Sequence, residues 1–254
     1  YEIAQCLVGS EMCIRDRANT AVSLANFNVD TRYVTKLPNH TIGQSAVNSL
    51  RQYGVDVSRI VRGGDQIGIY FLEKKTSQRP TNVIYNRNGS AFALATKEDF
   101  DWNSIFEGAT WFHFSGITPA ISDNMAEITI EACKEAKKRN ITVSCDLNYR
   151  SKLWSSEKAN KVMSEVCKYV DICIANEDDA VGIFGMDASK SDKEKNAYIA
   201  EELTKMFPNF KMVASVWRTE TSITTFKLQS MIYTDGKAYY SCLLYTSPSP
   251  RDTE

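Results

Sequence analysis

The chain has 254 residues, of which 43% are hydrophobic, 24% charged and 11% aromatic. These are globular values, with apolar mass for one large domain or two small ones. Thirty Lys and Arg against 31 Asp and Glu leave a formal net charge of −1, which argues against the basic footprint of a general nucleic-acid binder. No apolar run approaches the ~20 residues of a membrane span. Residues 1–10 lack the basic and long apolar regions of a secretory signal, so the expected location is cytoplasmic.

In chain order, the first stretch reads strangely. Residues 6–17 are CLVGSEMCIRDR and residues 242–252 are CLLYTSPSPRD. One back-translation of 242–252 has a complementary strand that, shifted by one base, encodes residues 6–16. Two strands of one DNA element therefore flank the chain, and that element resembles a transposase-type sequencing adapter. Residues 1–17 and 242–254 are accordingly expected to be non-native. The biological part is expected at 18–241, incomplete at both ends.

Residues 19–27 place apolar side chains at helical spacing, and 33–36 reads as a short strand. Over 42–53, Ile42, Ala46, Val47 and Leu50 fall on one helical face, and Gly54 is placed to end the helix. Segments 66–72 and 82–85 are β-branched and aromatic, separated by a polar stretch, 73–81, that contains Pro80. They predict a hairpin with a long connection. With Thr35 on a neighbouring strand, they would make a small β lid from 33–36, 66–73 and 82–87.

The pattern then alternates. Strands are expected at 110–114, 141–146, 170–175 and 211–216. Between them come helices from Ser122 or Asp123 to about Asn140, then over 156–169, 177–184 and 193–206. Such alternation predicts an α/β fold with a mostly parallel sheet covered on both faces. Of seven cysteines, Cys133, Cys145, Cys167 and Cys173 lie in these elements and form no CxxC pair. Buried free thiols in a reducing compartment are expected.

Ligands of such sheets sit beyond the carboxyl ends of the strands, where polar motifs fall in this chain. Ser115-Gly116 follows the first strand, Asp146-Leu147-Asn148-Tyr149-Arg150 the second, Asn176-Glu177-Asp178-Asp179 the third, and Arg218 the fourth. Arg150 suits a carboxylate or phosphate, or else pairs with Asp146 to organise its loop. Asn176 and Asp179 suit a hydrated Mg²⁺, or else cap a helix. Tyr85 and Arg87 share a strand face, with Tyr70 in the partner strand. They suit an acidic, hydroxylated substrate, or else ordinary cross-strand packing. His113 reads as a satisfied core histidine and His40 as exposed. Metal-ligand Cys/His clusters, GxSxG, HExxH, Walker A and GxGxxG patterns do not occur.

Together these motifs resemble the ribokinase-like (PfkB) sugar kinases, and within them the 2-dehydro-3-deoxygluconate kinases. Residues 19–25 (NTAVSLA) are similar to the tail of the family's N-terminal signature, and 83–91 to the sugar-acid kinase lid. Phe112-His113-Phe114-Ser115-Gly116, Asp146 to Arg150 and Asn176 to Asp179 match later blocks, with Asp179 where the family has Glu. The resemblance implies a three-layer ribokinase-like fold and transfer of the ATP γ-phosphoryl group to 2-dehydro-3-deoxy-D-gluconate. It implies that Asn19 contacts the sugar. Tyr70, Tyr85, Arg87 and Arg150 would hold its carboxylate and hydroxyls, with Arg150 also near the phosphoryl group. Asn176 and Arg218 would lie at the nucleotide, and Asp179 at Mg²⁺. The expected partners are the sugar acid and ATP, with no nucleic acid or membrane. An open lid edge is a candidate for homodimer pairing.

The family's general base is the Asp of a Gly-x-Gly-Asp motif, whose glycine amides stabilise the phosphoryl charge. The chain contains no such motif. It is therefore expected to be inactive as it stands, although its parent would be a kinase. The other expectations weighed are a kinase for fructose or ribose, and a non-catalytic sugar-acid binding module.

Overall fold

The computed structural model describes residues 15–73, 82–187, 195–220 and 226–246. The end segments 1–14 and 247–254, most of the 73–81 connection and the expected helix start at 193 lie outside them. The chain divides into two compact units, Tyr1–Gly108 with Ile121–Ile128, and Ala109–Ala120 with Thr129–Glu254.

In the first unit, α1 (Arg15–Asn26) is followed by β1 (Lys36–Leu37), α2 (Thr41–Arg51), β2 (Val61–Arg62), β3 (Ile69–Glu73), β4 (Asn82–Asn86) and α3 (Trp102–Ile105). Its core joins Ala21 of α1, Tyr33, Leu37, Ala46, Val47 and Leu50 of α2, and Val55, Ile60 and Ile67. The α2 face is rotated by one position from expectation. Gly43, Ala46, Val47 and Leu50 are buried, whereas Ile42 is 46% exposed. The reason is tertiary: a Cβ on Gly43 would lie 2.2 Å from the Pro38 carbonyl oxygen, so the helix seats its glycine there and turns Ile42 outward. His40 is exposed as expected, and its Nδ1 also caps α2 by accepting the Gly43 N–H at 3.2 Å.

The hairpin forms as expected: β3 and β4 pair antiparallel, with Tyr70 opposite Tyr85. Thr35 does not join it. The Thr35 carbonyl accepts the Val61 N–H at 2.9 Å, and β1 pairs in parallel with β2 in a separate two-stranded sheet. The β-branched character of 33–36 showed a strand but not its partner, which a distant segment supplies.

The second unit is built on β5 (Trp111–Ser115), α4 (Ile117–Ala120), α5 (Asp123–Lys138), β6 (Thr142–Asp146), α6 (Ser156–Cys167), β7 (Ile172–Ile174), α7 (Glu177–Phe184), α8 (Lys195–Met206), β8 (Met212–Glu220), β9 (Phe226–Thr234), β10 (Lys237–Tyr240) and β11 (Leu244–Thr246). The first turns of α5 count with the first unit. One seven-stranded sheet runs β10-β9-β8-β7-β6-β5, with β11 also on β9. Strands β5 to β8 are parallel, and β9 and β10 antiparallel. Val143, Ser144 and Cys145 of β6 are successively buried, as helix cover on both sheet faces requires.

The strand expected over 211–216 extends to Glu220 because β9, which the sequence pattern did not reveal, pairs with it from Val213 onward. Asp235 and Gly236, with φ of 50° and 74°, make the tight β9–β10 turn. Cys133, Cys145, Cys167 and Cys173 are buried free thiols, as expected, and Cys242 is exposed. Burial pushes the Cys133 thiol up to about 12. Among the described residues, no helix is long and apolar enough to cross a membrane.

Candidate active site

In the second unit, the carboxyl ends of β5, β6 and β7 bring three of the polar motifs together. The Gly116 N–H after β5 donates to the Asp146 carbonyl at the end of β6, at 2.8 Å. A Cβ on Gly116 would stand 2.1 Å from the Leu147 carbonyl oxygen, so a glycine is required for the two loops to approach so closely. Ser115 Oγ accepts the Ile117 N–H at 3.2 Å and Asn148 Nδ2 at 3.4 Å. Asn148 has φ of 40°, a left-handed conformation that asparagine tolerates.

The loop from Asp146 to Arg150 is fastened to α7. The Tyr149 N–H donates to Asp179 Oδ1 at 2.7 Å. The other carboxylate oxygen, Oδ2, accepts the Asn176 N–H at 3.2 Å, while Asn176 Oδ1 accepts the Asp179 N–H at 2.9 Å. Asn176 is thus the N-cap of α7 in a reciprocal capping box, the capping role weighed from sequence. The Tyr149 partner was not foreseen; it lies 30 residues away. Asp179 is 4% exposed, and burial pushes its carboxyl up to about 6 against the two amide hydrogen bonds, with Asp146 adding to the rise and Arg150 opposing it. Arg150 is exposed, and its Nη1 donates at 3.4 Å to the Tyr149 carbonyl.

These contacts bear on Mg²⁺. Each oxygen of the buried Asp179 carboxylate accepts one backbone N–H, which ties it to the α7 N-cap and to the Arg150 loop. Among the described residues, no group of three or more His, Cys, Asp or Glu side chains could hold a metal ion. Arg218 was expected just beyond the fourth strand. Because β8 continues to Glu220, Arg218 lies within it, exposed and in register with Leu228. His113 is a half-buried core residue as expected: its Nδ1 lies 2.8 Å from Ser144 Oγ, which also accepts Trp111 Nε1 at 2.7 Å.

In the first unit, Tyr85 and Arg87 share a face as their spacing predicts. The Arg87 Cζ lies 4.4 Å over the Tyr85 ring, a cation–π contact. Arg87 Nε is buried with no hydrogen-bond partner among the described residues. Tyr70 holds the register position opposite Tyr85, and Asn19 is exposed on α1.

The profile described as pfkB family carbohydrate kinase matches residues 16–209, and the chain belongs to that family. It is 35% identical over 172 residues to the 2-dehydro-3-deoxygalactonokinase of Haloferax volcanii, covering 67% of this chain and 53% of that protein. It is 30% identical over 142 residues to the 2-dehydro-3-deoxygluconokinase of Bacillus subtilis, covering 55% and 43% respectively. Among solved structures, it is similar to the 2-dehydro-3-deoxygluconokinase of Thermotoga maritima, with a TM-score of 0.85, 44% identity, and coverage of 91% of this chain and 70% of that one. The fold is thus ribokinase-like α/β, as expected. The chain spans about half the length of the curated relatives it matches.

Proposed function

We propose that the chain comes from a kinase that moves the γ-phosphoryl group of ATP to the primary hydroxyl of 2-dehydro-3-deoxy-D-gluconate. The observation that carries this reading is Arg87, a guanidinium stacked on Tyr85 with a buried Nε that has no partner among the described residues. Burying an unpaired polar group is costly, and an anionic ligand would repay that cost. The relatives' names supply such an anion, because each denotes a sugar acid with a carboxylate. Arg87 and Arg150, with Tyr70 and Tyr85, then hold the carboxylate and hydroxyls, and Asn19 contacts the sugar. Arg150 also approaches the transferred phosphoryl group, and Asn176 and Arg218 serve the nucleotide. Phosphoryl transfer depends mainly on positioning and charge stabilisation, which these cations provide. Without Gly-x-Gly-Asp, the 254 residues bind the sugar acid but do not turn it over. Pairing of two copies through the β3–β4 edge belongs to the same reading, and sedimentation showing only monomer would remove it.

The test is calorimetric titration with 2-dehydro-3-deoxygluconate, its galactonate epimer, fructose and ribose. The Haloferax volcanii relative's name favours the epimer as a second substrate. Both acids are expected to bind more tightly than the neutral sugars. Charge-assisted hydrogen bonds contribute ~1.5–3 kcal/mol, so Arg87→Ala and Arg150→Ala should each weaken acid binding by roughly 10- to 100-fold. Equal affinity for fructose, or no affinity for either acid, would overturn the reading.

A further inference from the structure

We propose that Asp179 is a positioning residue for the substrate: its carboxylate fastens the loop carrying Arg150 to the first turn of α7, presenting the arginine to the anionic end of the sugar acid. The proposal rests on the functional reading above and adds to it the residue that sets the loop. Capping α7 requires only the reciprocal bonds between Asn176 and Asp179. An exposed polar side chain would suffice for that, since caps ordinarily sit at the surface. Asp179 is instead buried, and its Oδ1 is spent on the Tyr149 N–H at 2.7 Å. One side chain therefore ties the N-cap of a helix to the residue that immediately precedes Arg150.

A second contact points the same way. A Cβ on Gly182 would lie 2.4 Å from Tyr149 Cδ1, so α7 also meets Tyr149 at its ring. Residue 149 is held by its amide and by its side chain, both against the same helix. Arg150 extends from that fixed point into solvent on a long side chain. Where its guanidinium can reach is set by where residues 149 and 150 are held, and small displacements of a positioned charge weaken binding steeply.

The experiment is a double-mutant cycle on the 254-residue chain, using Asp179→Ala, Arg150→Ala and their combination, with the Kd for 2-dehydro-3-deoxygluconate read by calorimetry. If Asp179 acts through Arg150, Asp179→Ala weakens binding ~10-fold in the parent and no more than ~2-fold in the Arg150→Ala background, because coupled sites are not additive. Equal losses in both backgrounds would assign Asp179 a general structural role and overturn the proposal, as would an unchanged Kd in the parent background.

Amide hydrogen exchange is read without ligand. Tyr149 is expected to exchange at least ~10-fold faster in Asp179→Ala, which leaves its N–H no side-chain acceptor, with the Cys145 amide in β6 unchanged. An unchanged Tyr149 rate would overturn the proposal. If Asp179→Ala fails to fold, Gly182→Ala displaces the Tyr149 ring without touching the carboxylate and should show the same dependence on Arg150. Failure of the parent chain to bind either acid would sink the functional reading, whereas the exchange arm still decides whether Asp179 holds the loop.

Discussion

Supplied with ATP, Mg²⁺ and 2-dehydro-3-deoxygluconate, the polypeptide of 254 residues is expected to release ADP ~10²–10⁴-fold more slowly than a PfkB kinase carrying Gly-x-Gly-Asp. A primary hydroxyl is a weak nucleophile until a positioned base takes its proton. The resemblance assigns that role to the Asp of the motif, which does not occur in these residues. Asp179, hydrogen-bonded to the Arg150 loop, is buried and accepts a backbone N–H at each carboxylate oxygen. Substrate binding and turnover should therefore separate: calorimetry registers the sugar acid while a coupled ADP assay stays near background. Turnover at an ordinary kinase rate would mean that another group supplies the base.

The second large effect is on stability. Asp171 is buried at the amino end of β7, where its carboxylate accepts the Val143 N–H at 2.9 Å, Lys137 Nζ at 2.8 Å and Lys211 Nζ at 3.2 Å. Burial raises its carboxyl pKa, but the Lys137 contact, the Val143 amide and Lys211 outweigh it, and the net position is below the usual carboxylate range. Asp171→Ala strands a buried N–H and removes the partner of two ammonium groups. Lys137 and Lys211 are 39% and 75% exposed, so water recovers part of the loss. The expected cost is ~3 kcal/mol, a fall in Tm of roughly 6–12 °C for a chain of this size. Asp171→Asn retains an acceptor for Val143 and should lose about a third as much. Because the folded pKa is depressed, this stabilisation is present above the unfolded pKa and is lost as the pH falls through the folded one. A Tm of Asp171→Ala within ~1 °C of the parent would refute the assignment.

Much of this architecture was legible because local chemistry punctuates it. The span of α7 could be read to the residue: Asn176-x-x-Asp179 opens it, and Gly185, with φ of 65°, closes it. What could not be read was non-local. The burial of Gly43 in place of Ile42 depends on the Pro38 carbonyl. The partner of β1 is β2 rather than the hairpin. The sequence of β9 mixes polar and apolar residues and becomes a strand by pairing with β8. At the candidate site, the face shared by Tyr85 and Arg87 followed from strand alternation. The Asp179 bond to the Tyr149 amide spans 30 residues, and no spacing rule reaches that far.

The four interior thiols also give the molecule a built-in clock. A thiolate is the species that reacts with an alkylating dye, and burial raises the pKa of Cys133, Cys145, Cys167 and Cys173, keeping them silent while the second unit stays shut. Cys242, at the surface, takes up reagent at once and marks time zero. The interval before the others gain mass then measures how long that unit survives between openings.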